Sequence, residues 1–229
     1  MLTLAIETSG PLGSVALFDS GCVLAEQSLE LGRQHGQSLI PTIRQLLSSC
    51  GQLPRNLQLV AVSIGPGSYT GLRVGVVCAK TLAYAVNCQL AAVDTLQAVA
   101  CNSPAGTTTV EVICDAQRGD LFAGKYMRDA GGGWIPQQGI RQTPAEAWAN
   151  EVKPADTVSG PGLDKFAHLV EGRCRVLSSE FRRPQAVWVA RLGIDGVKSG
   201  HAADLWSIEP LYMRRSSAET QWEKLHPGT

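Results

Sequence analysis

Charge of either sign is scarce in this sequence. Only 17% of its 229 residues are Asp, Glu, Lys or Arg, and 20 basic residues cancel 20 acidic ones. An ordinary globular chain carries about 25%. A chain without net charge does not grip a polyanion through its whole surface. So sparse a charge also suggests that a partner covers part of that surface. Long apolar runs are missing too: Arg73 and Lys80 interrupt the most apolar segment, and none reaches the roughly 18 residues of a membrane span. The opening "MLTLAIETS" has no basic start and is cut short by Glu7, which argues against a signal peptide. The seven cysteines are odd in number and form no CxxC pair, so no disulfide framework is implied. The histidines (His35, His168, His201, His226) are scattered without a second ligand at metal-binding spacing, which argues against a metal centre. There is no GxSxG. These absences lead us to expect a reduced, cytoplasmic chain without membrane contact.

What remains is a strongly apolar chain, 44% hydrophobic, long enough for one large domain or two lobes. "LTLAI", "SVALF" and "CVLAEQSLEL" read as three strands joined by turn-forming "ETSGPLG" and "DSG". "QHGQSLIPTIRQLLSSCG" has Leu39, Ile43, Leu46 and Leu47 at helical spacing and Gly51 as a stop. Pro41 lies in its first turn or kinks it. "LQLVAVSI" is a buried strand. A glycine-rich turn and a long helix to about Val86 follow, then the strand "LAAV" and the short helix "TLQAVAC".

The pattern then restarts. "LTLAIETSGPLGSVALF" and "VEVICDAQRGDLFAGKY" both give a strand, an acid (Glu7, Asp115), a turn with glycine (Gly13, Gly119) and a second strand. This weak repeat has a period of roughly 108 residues and suggests two lobes of one topology, residues 1–104 and 105–229. Further helices are expected over 143–152, with an N-cap, and over 184–200, with Pro at its start and Gly at its end. The latter is expected to pack back on the first lobe.

A strand, an acid and a Thr/Ser turn, repeated once, is similar to the layout of the actin-like, sugar-kinase and chaperone ATPase fold. There two such turns hold nucleotide phosphates through backbone N–H groups. Here the first turn offers Thr8 and Ser9 beside Glu7. The second follows Asp115 and is poorer, with Gln117 and Arg118 in place of small residues. The run "GPGSYTGLRVG" lacks Walker spacing, so its phosphate reading is weak. Gly71, Gly75, Ala79 and Ala83 instead recur every four residues on one helical stripe. Glycine in a helix costs about 1 kcal/mol, which points to close packing, either inside the chain or across a dimer.

Taken together, "LAIETSGPLGSVALFDSG", "RQHGQSLIPTI", "SIGPGSYTGLRVGVVCAKTLAYA", "AVDTLQAVA" and "PLYMRRSSAE" resemble the TsaB (YeaZ) family, the non-catalytic relatives of TsaD. The resemblance is strong over residues 1–104 and thin to about 219. It implies an α/β, two-lobed actin-like (ribonuclease H-like) fold, each lobe a mixed sheet of five-stranded type with flanking helices. It implies a scaffold for formation of N6-threonylcarbamoyladenosine at position 37 of tRNAs reading ANN codons. The implied partners are a TsaD-like catalytic subunit, a TsaE-like ATPase, tRNA only through the complex, and a second copy when the chain is alone. No cofactor is implied for the chain by itself, although ATP or ADP is admitted at the complex interface. Thr95 and Val99 stand where the catalytic relative has metal-binding histidines, so neither catalysis nor a metal is expected. The resemblance assigns Leu39, Ile43, Leu46, Gly71, Gly75, Ala79 and Ala83 to a partner interface. It leaves Glu7, Thr8, Ser9 and Asp115 as vestigial nucleotide turns. The alternative is an active ATP-dependent small-molecule kinase or ATPase of the same fold.

Overall fold

The computed structural model describes residues 1–29 and 35–213. The first sheet contains β1 (Thr3–Glu7), β2 (Ser14–Asp19), β3 (Cys22–Ser28), β4 (Leu59–Gly65) and β5 (Gln89–Asp94), in the order β3-β2-β1-β4-β5. β1 pairs antiparallel with β2 and parallel with β4, and β4 pairs parallel with β5. The second sheet contains β6 (Thr109–Gln117), β7 (Asp120–Arg128), β8 (Trp134–Pro136), β9 (Arg141–Pro144), β10 (Thr157–Ser159) and β11 (Arg175–Val176). Its order is β11-β10-β6-β7-β8, with β9 also on β7. β6 is antiparallel to β7 and parallel to β10, so it occupies the place that β1 holds in the first sheet. The internal repeat is therefore a repeat of topology.

Both faces of β1, β2 and β4 are covered, which is why these strands read as largely apolar runs, while the edge strand β3 is mostly exposed. Alternate residues serve opposite cores. Leu4, Ile6, Val15, Leu17, Val60 and Val62 face α1 (His35–Ser49) and α2 (Tyr69–Val86). Ala5, Ala16, Phe18, Ala61 and Ala91 face α6 (Ala186–Lys198). The alanines on that side let α6 come close: a Cβ at Gly193 would lie 2.6 Å from that of Ala61. The short helix α3 (Thr95–Ala100) joins the lobes. Its Ala98 belongs to the core under α6, while Leu96 and Val99 pack with Val110, Val112 and Phe122 of the second sheet. The far face of that sheet is covered by α4 (Ala145–Glu151) and α5 (Leu163–Phe166) around Trp148. After α6 the chain returns along α2. Ala203 N donates to Leu90 O and Leu211 N to Ile64 O, both at 2.7 Å. Lys80 Nζ donates to the carbonyls of Trp206 and Ile208.

Two expectations are corrected here. Thr143 does not cap a helix but lies in β9 opposite Leu121; the helix begins at Ala145, and its N-cap position is Pro144 without a side-chain cap. The stripe Gly71, Gly75, Ala79 and Ala83 is not on the surface. All four are buried against the chain's own sheet, and a Cβ at Gly75 would collide with Thr8 Oγ1. Leu39, Ile43 and Leu46 are 1–3% exposed in the same core. The small residues let α2 approach β1 and β4, so close packing is confirmed but its partner is intramolecular. The outward side of the helix pair presents Ile40, Val77 and Tyr84, which are 55%, 61% and 66% exposed.

Candidate functional site

A cleft of about 890 Å³ opens between the two sheets. The turn after β1, the turn between β4 and α2, the start of α3 and the β6–β7 turn all line it, together with Leu211–Met213. Ser9 and Asp115, read as belonging to opposite phosphate turns, thus do meet across one cavity. Thr8 and Glu7 lie behind Ser9, fully buried.

The geometry of the first turn is self-satisfied. Thr8 Oγ1 donates to Gly71 O at 2.8 Å. The Ser9 N–H and hydroxyl both donate to Glu7 Oε1 at 2.5 Å, and Ser68 N donates to Ser9 O at 2.7 Å. Gly67 is pressed on Ser9 so closely that a Cβ there would stand 2.6 Å from its carbonyl oxygen. The glycine turn of the opening motif is therefore a lock on the first turn. In the second turn, Gln117, Arg118 and Gly119 take φ of 67°, 56° and 88°. Gln117 N donates to Asp115 Oδ1 at 2.8 Å, and Lys165 Nζ holds both Asp115 oxygens at 3.0 and 3.2 Å. Four donors of the two turns, Thr8 Oγ1, Ser9 N, Ser9 Oγ and Gln117 N, are thus bonded within the chain.

Thr95 and Val99 have structural tasks. Thr95 Oγ1 accepts from Gly65 N at 3.0 Å, and Val99 is a fully buried member of the inter-lobe core. Cys114 lines the cleft, but burial pushes its thiol up to about 12, so no thiolate nucleophile forms at neutral pH.

Sequence reading missed Asp94. It caps α3 by accepting from Leu96 N at 2.8 Å and accepts the Tyr126 hydroxyl at 2.5 Å, across the lobes. Gly124 makes room for that phenol, since a Cβ there would lie 2.7 Å from its oxygen. The signal available was D-x-x-Q before an apolar helix, a capping box; nothing local pointed to Tyr126. Burial raises the Asp94 pKa above its usual 3.8, while the Tyr126 hydroxyl bond opposes the rise. The folded state thus holds this proton to higher pH than the unfolded chain. The resulting stability is fully present below 3.8 and is lost as pH climbs through the raised value. Tyr126→Phe removes the opposing bond. It is expected to cost about 1–3 kcal/mol at neutral pH and distinctly less below 3.8, as urea unfolding at the two pH values will show. A pH-independent deficit would mean that Asp94 is not the group concerned.

Two lobes of one strand order, with a cleft between their paired turns, define a protein of the actin-like fold. The comparisons narrow this class. The chain is 31% identical over 97% of its length, and 98% of the relative's, to the tRNA threonylcarbamoyladenosine biosynthesis protein TsaB of Bacillus subtilis. It is 28% identical, over its whole length and 99% of the relative's, to that of Escherichia coli. The structure of YeaZ from Pseudomonas aeruginosa superimposes with a TM-score of 0.82 at 25% identity, covering 93% of this chain and 99% of that one. A family model described as TsaD, tRNA N6-adenosine threonylcarbamoyltransferase, matches residues 24–137. The chain belongs to the TsaB family.

Proposed function

We propose that this chain is a non-catalytic scaffold required, with a TsaD-like catalytic subunit, for forming N6-threonylcarbamoyladenosine at position 37 of tRNAs reading ANN codons. The pathway is supported by the names of its full-length relatives. The observation that carries the non-catalytic part is the commitment of Thr8, Ser9 and Asp115 to bonds within the chain. Catalysis on phosphate needs donors preorganised toward the transferring group, and here they are spent. Thr95 and Val99 at the positions of the relative's metal histidines act in the same direction, since valine cannot ligate a metal.

The docking face for the catalytic partner, and for a second copy when the chain is alone, is the outer side of α1 and α2. The two helices lie together: a Cβ added at Gly36 would stand 3.9 Å from Val74 Cγ2. Val77 and Tyr84 are two turns apart on one line, and Trp206, 75% exposed, stands edge-on to Tyr84 at 5.9 Å between ring centroids. Exposed aromatic anchors of this kind carry most of the energy in interfaces. A TsaE-like ATPase joins the assembly, tRNA is met indirectly through the complex, and the complex interface is the place for any ATP or ADP.

Depleting the chain in its host and measuring tRNA nucleosides by mass spectrometry tests this reading. The expected result is loss of threonylcarbamoyladenosine, restored by the intact gene. An unchanged nucleoside profile would remove the chain from the pathway.

A further inference from the structure

The cleft itself is left without a task by a scaffold reading, yet among the described residues it is neither collapsed nor filled. Hydrogen bonds join residues of the two halves of the chain. Besides Tyr126 to Asp94, Gln97 Nε2 donates to Trp134 O at 2.6 Å, Arg128 Nη2 to Ser103 O at 3.1 Å, and Ala186 N to Ser14 Oγ at 3.0 Å. At about 890 Å³ it has the volume of a small-molecule site, which runs from about 300 to 1,000 Å³.

Its chemistry is lopsided. Leu72, Leu96, Phe122, Leu211 and Met213 give it apolar walls. On the second-lobe side Arg118 and Arg183 line it together with Asp115 and Asp164, and Lys165 and Arg182 are ion-paired to those two acids. Lys165 is spent on Asp115 at 3.0 Å, and Arg182 and Arg183 share Asp164 at 4.0 and 3.7 Å. Arg118 lines the cavity and makes no ion pair among the described residues. It is held at φ 56°, directly after Gln117 at 67°. Arg118 and Gly119 form the two-residue turn of the β6–β7 hairpin, which calls for positive φ at both positions, and the turn sets Arg118 at the cavity wall.

From these observations we infer that the cleft binds a small amphiphilic anion. Its apolar body lies on Leu72, Leu96 and Phe122, and its one anionic group, a carboxylate, sulfonate or phosphate monoester, meets Arg118 and Arg183. A nucleotide polyphosphate does not fit this site, because the turn donors that would cradle it are bonded to Glu7, Gly71 and Asp115.

The probe is anilinonaphthalene sulfonate, an aromatic body with one anion, titrated by fluorescence into the full chain. One site per chain is expected, with the neutral phenylnaphthylamine at least about tenfold weaker. Arg118→Glu and Arg183→Gln, both at exposed positions, should each weaken the sulfonate by about tenfold at unchanged melting temperature. Trp206→Ala, on the other apolar surface, should leave binding intact. Decanoate or phenyl phosphate should displace the probe, and the better competitor identifies the anion. No binding, equal binding of the neutral analogue, indifference to both arginine variants, loss with Trp206→Ala, or displacement by micromolar ATP would each overturn the inference. None of these results depends on the tRNA pathway.

Discussion

Gly75→Trp is expected to yield no cooperatively folded protein. The Cβ alone would overlap Thr8 Oγ1, and Val62 Cγ2 lies 3.5 Å beyond it. An indole has nowhere to go on a helix face pressed against β1 and β4. Overpacking that a core can relax costs about 1–3 kcal/mol; this one cannot relax without lifting α2 off its sheet, against a total stability of about 5–15 kcal/mol. Gly75→Ala makes the cause visible. It gains about 1 kcal/mol of helix propensity, yet it must push aside the Thr8 hydroxyl and its 2.8 Å bond to Gly71 O. A net loss of about 1 kcal/mol is expected. In a Thr8→Ala background the obstacle is gone and the same substitution should stabilise, so the double-mutant cycle should return a coupling of about 1–3 kcal/mol. Urea unfolding measures all four proteins. A Gly75→Trp chain that melts like wild type but has lost its partner would return this stripe to the interface.

The second large effect lies on the opposite side of the same helix. Val77→Glu with Tyr84→Glu should leave the melting temperature nearly unchanged, because surface changes stay within about 0.5 kcal/mol. Partner affinity should fall by at least about 100-fold, as removing central anchors costs about 2 kcal/mol or more each. Complementation of a depleted strain should then fail to restore threonylcarbamoyladenosine. Ser9→Ala and Asp115→Asn should restore it with modest loss. If those cleft variants abolish the modification while still binding the catalytic subunit, the cleft is chemically active and the scaffold reading is wrong.

The contrast between these two experiments marks where sequence reading stopped. The repeat was legible because a strand, an acid and a glycine turn leave a local signature, and Glu7 and Asp115 both lie near the C-terminal ends of the equivalent strands β1 and β6. The cleft was legible for the same reason. The orientation of α2 was not, because it is apolar nearly all round and small residues pack equally well against a strand or another helix. Its only charges, Arg73 and Lys80, did mark the outer side, on one line with Val77 and Tyr84. Arg73 there lies over the rings of Tyr69 and Tyr212 at 4.1 and 5.7 Å. The bond from Thr8 Oγ1 to Gly71 O was not legible, because it joins the first turn to a residue 63 positions along the chain, which no local pattern reveals.

The alanine face of the first sheet has a consequence for the order of events at the ribosome. Ala5, Ala16, Ala61 and Ala91 are strand residues from the first half of the chain, but Ala186, Val189, Ala190 and Ile194 supply their cover. Ala203 and Leu211, which hydrogen-bond to β5 and β4, come later still. As the chain emerges from its N-terminal end, the first sheet has α1 and α2 for one side and nothing for the other until the whole second lobe has been synthesised. Domains usually fold as units during synthesis; this one must wait. For the time needed to translate roughly 100 further residues, at about 5–20 per second, the nascent sheet carries a naked apolar face. A fragment ending at the lobe boundary would carry it permanently.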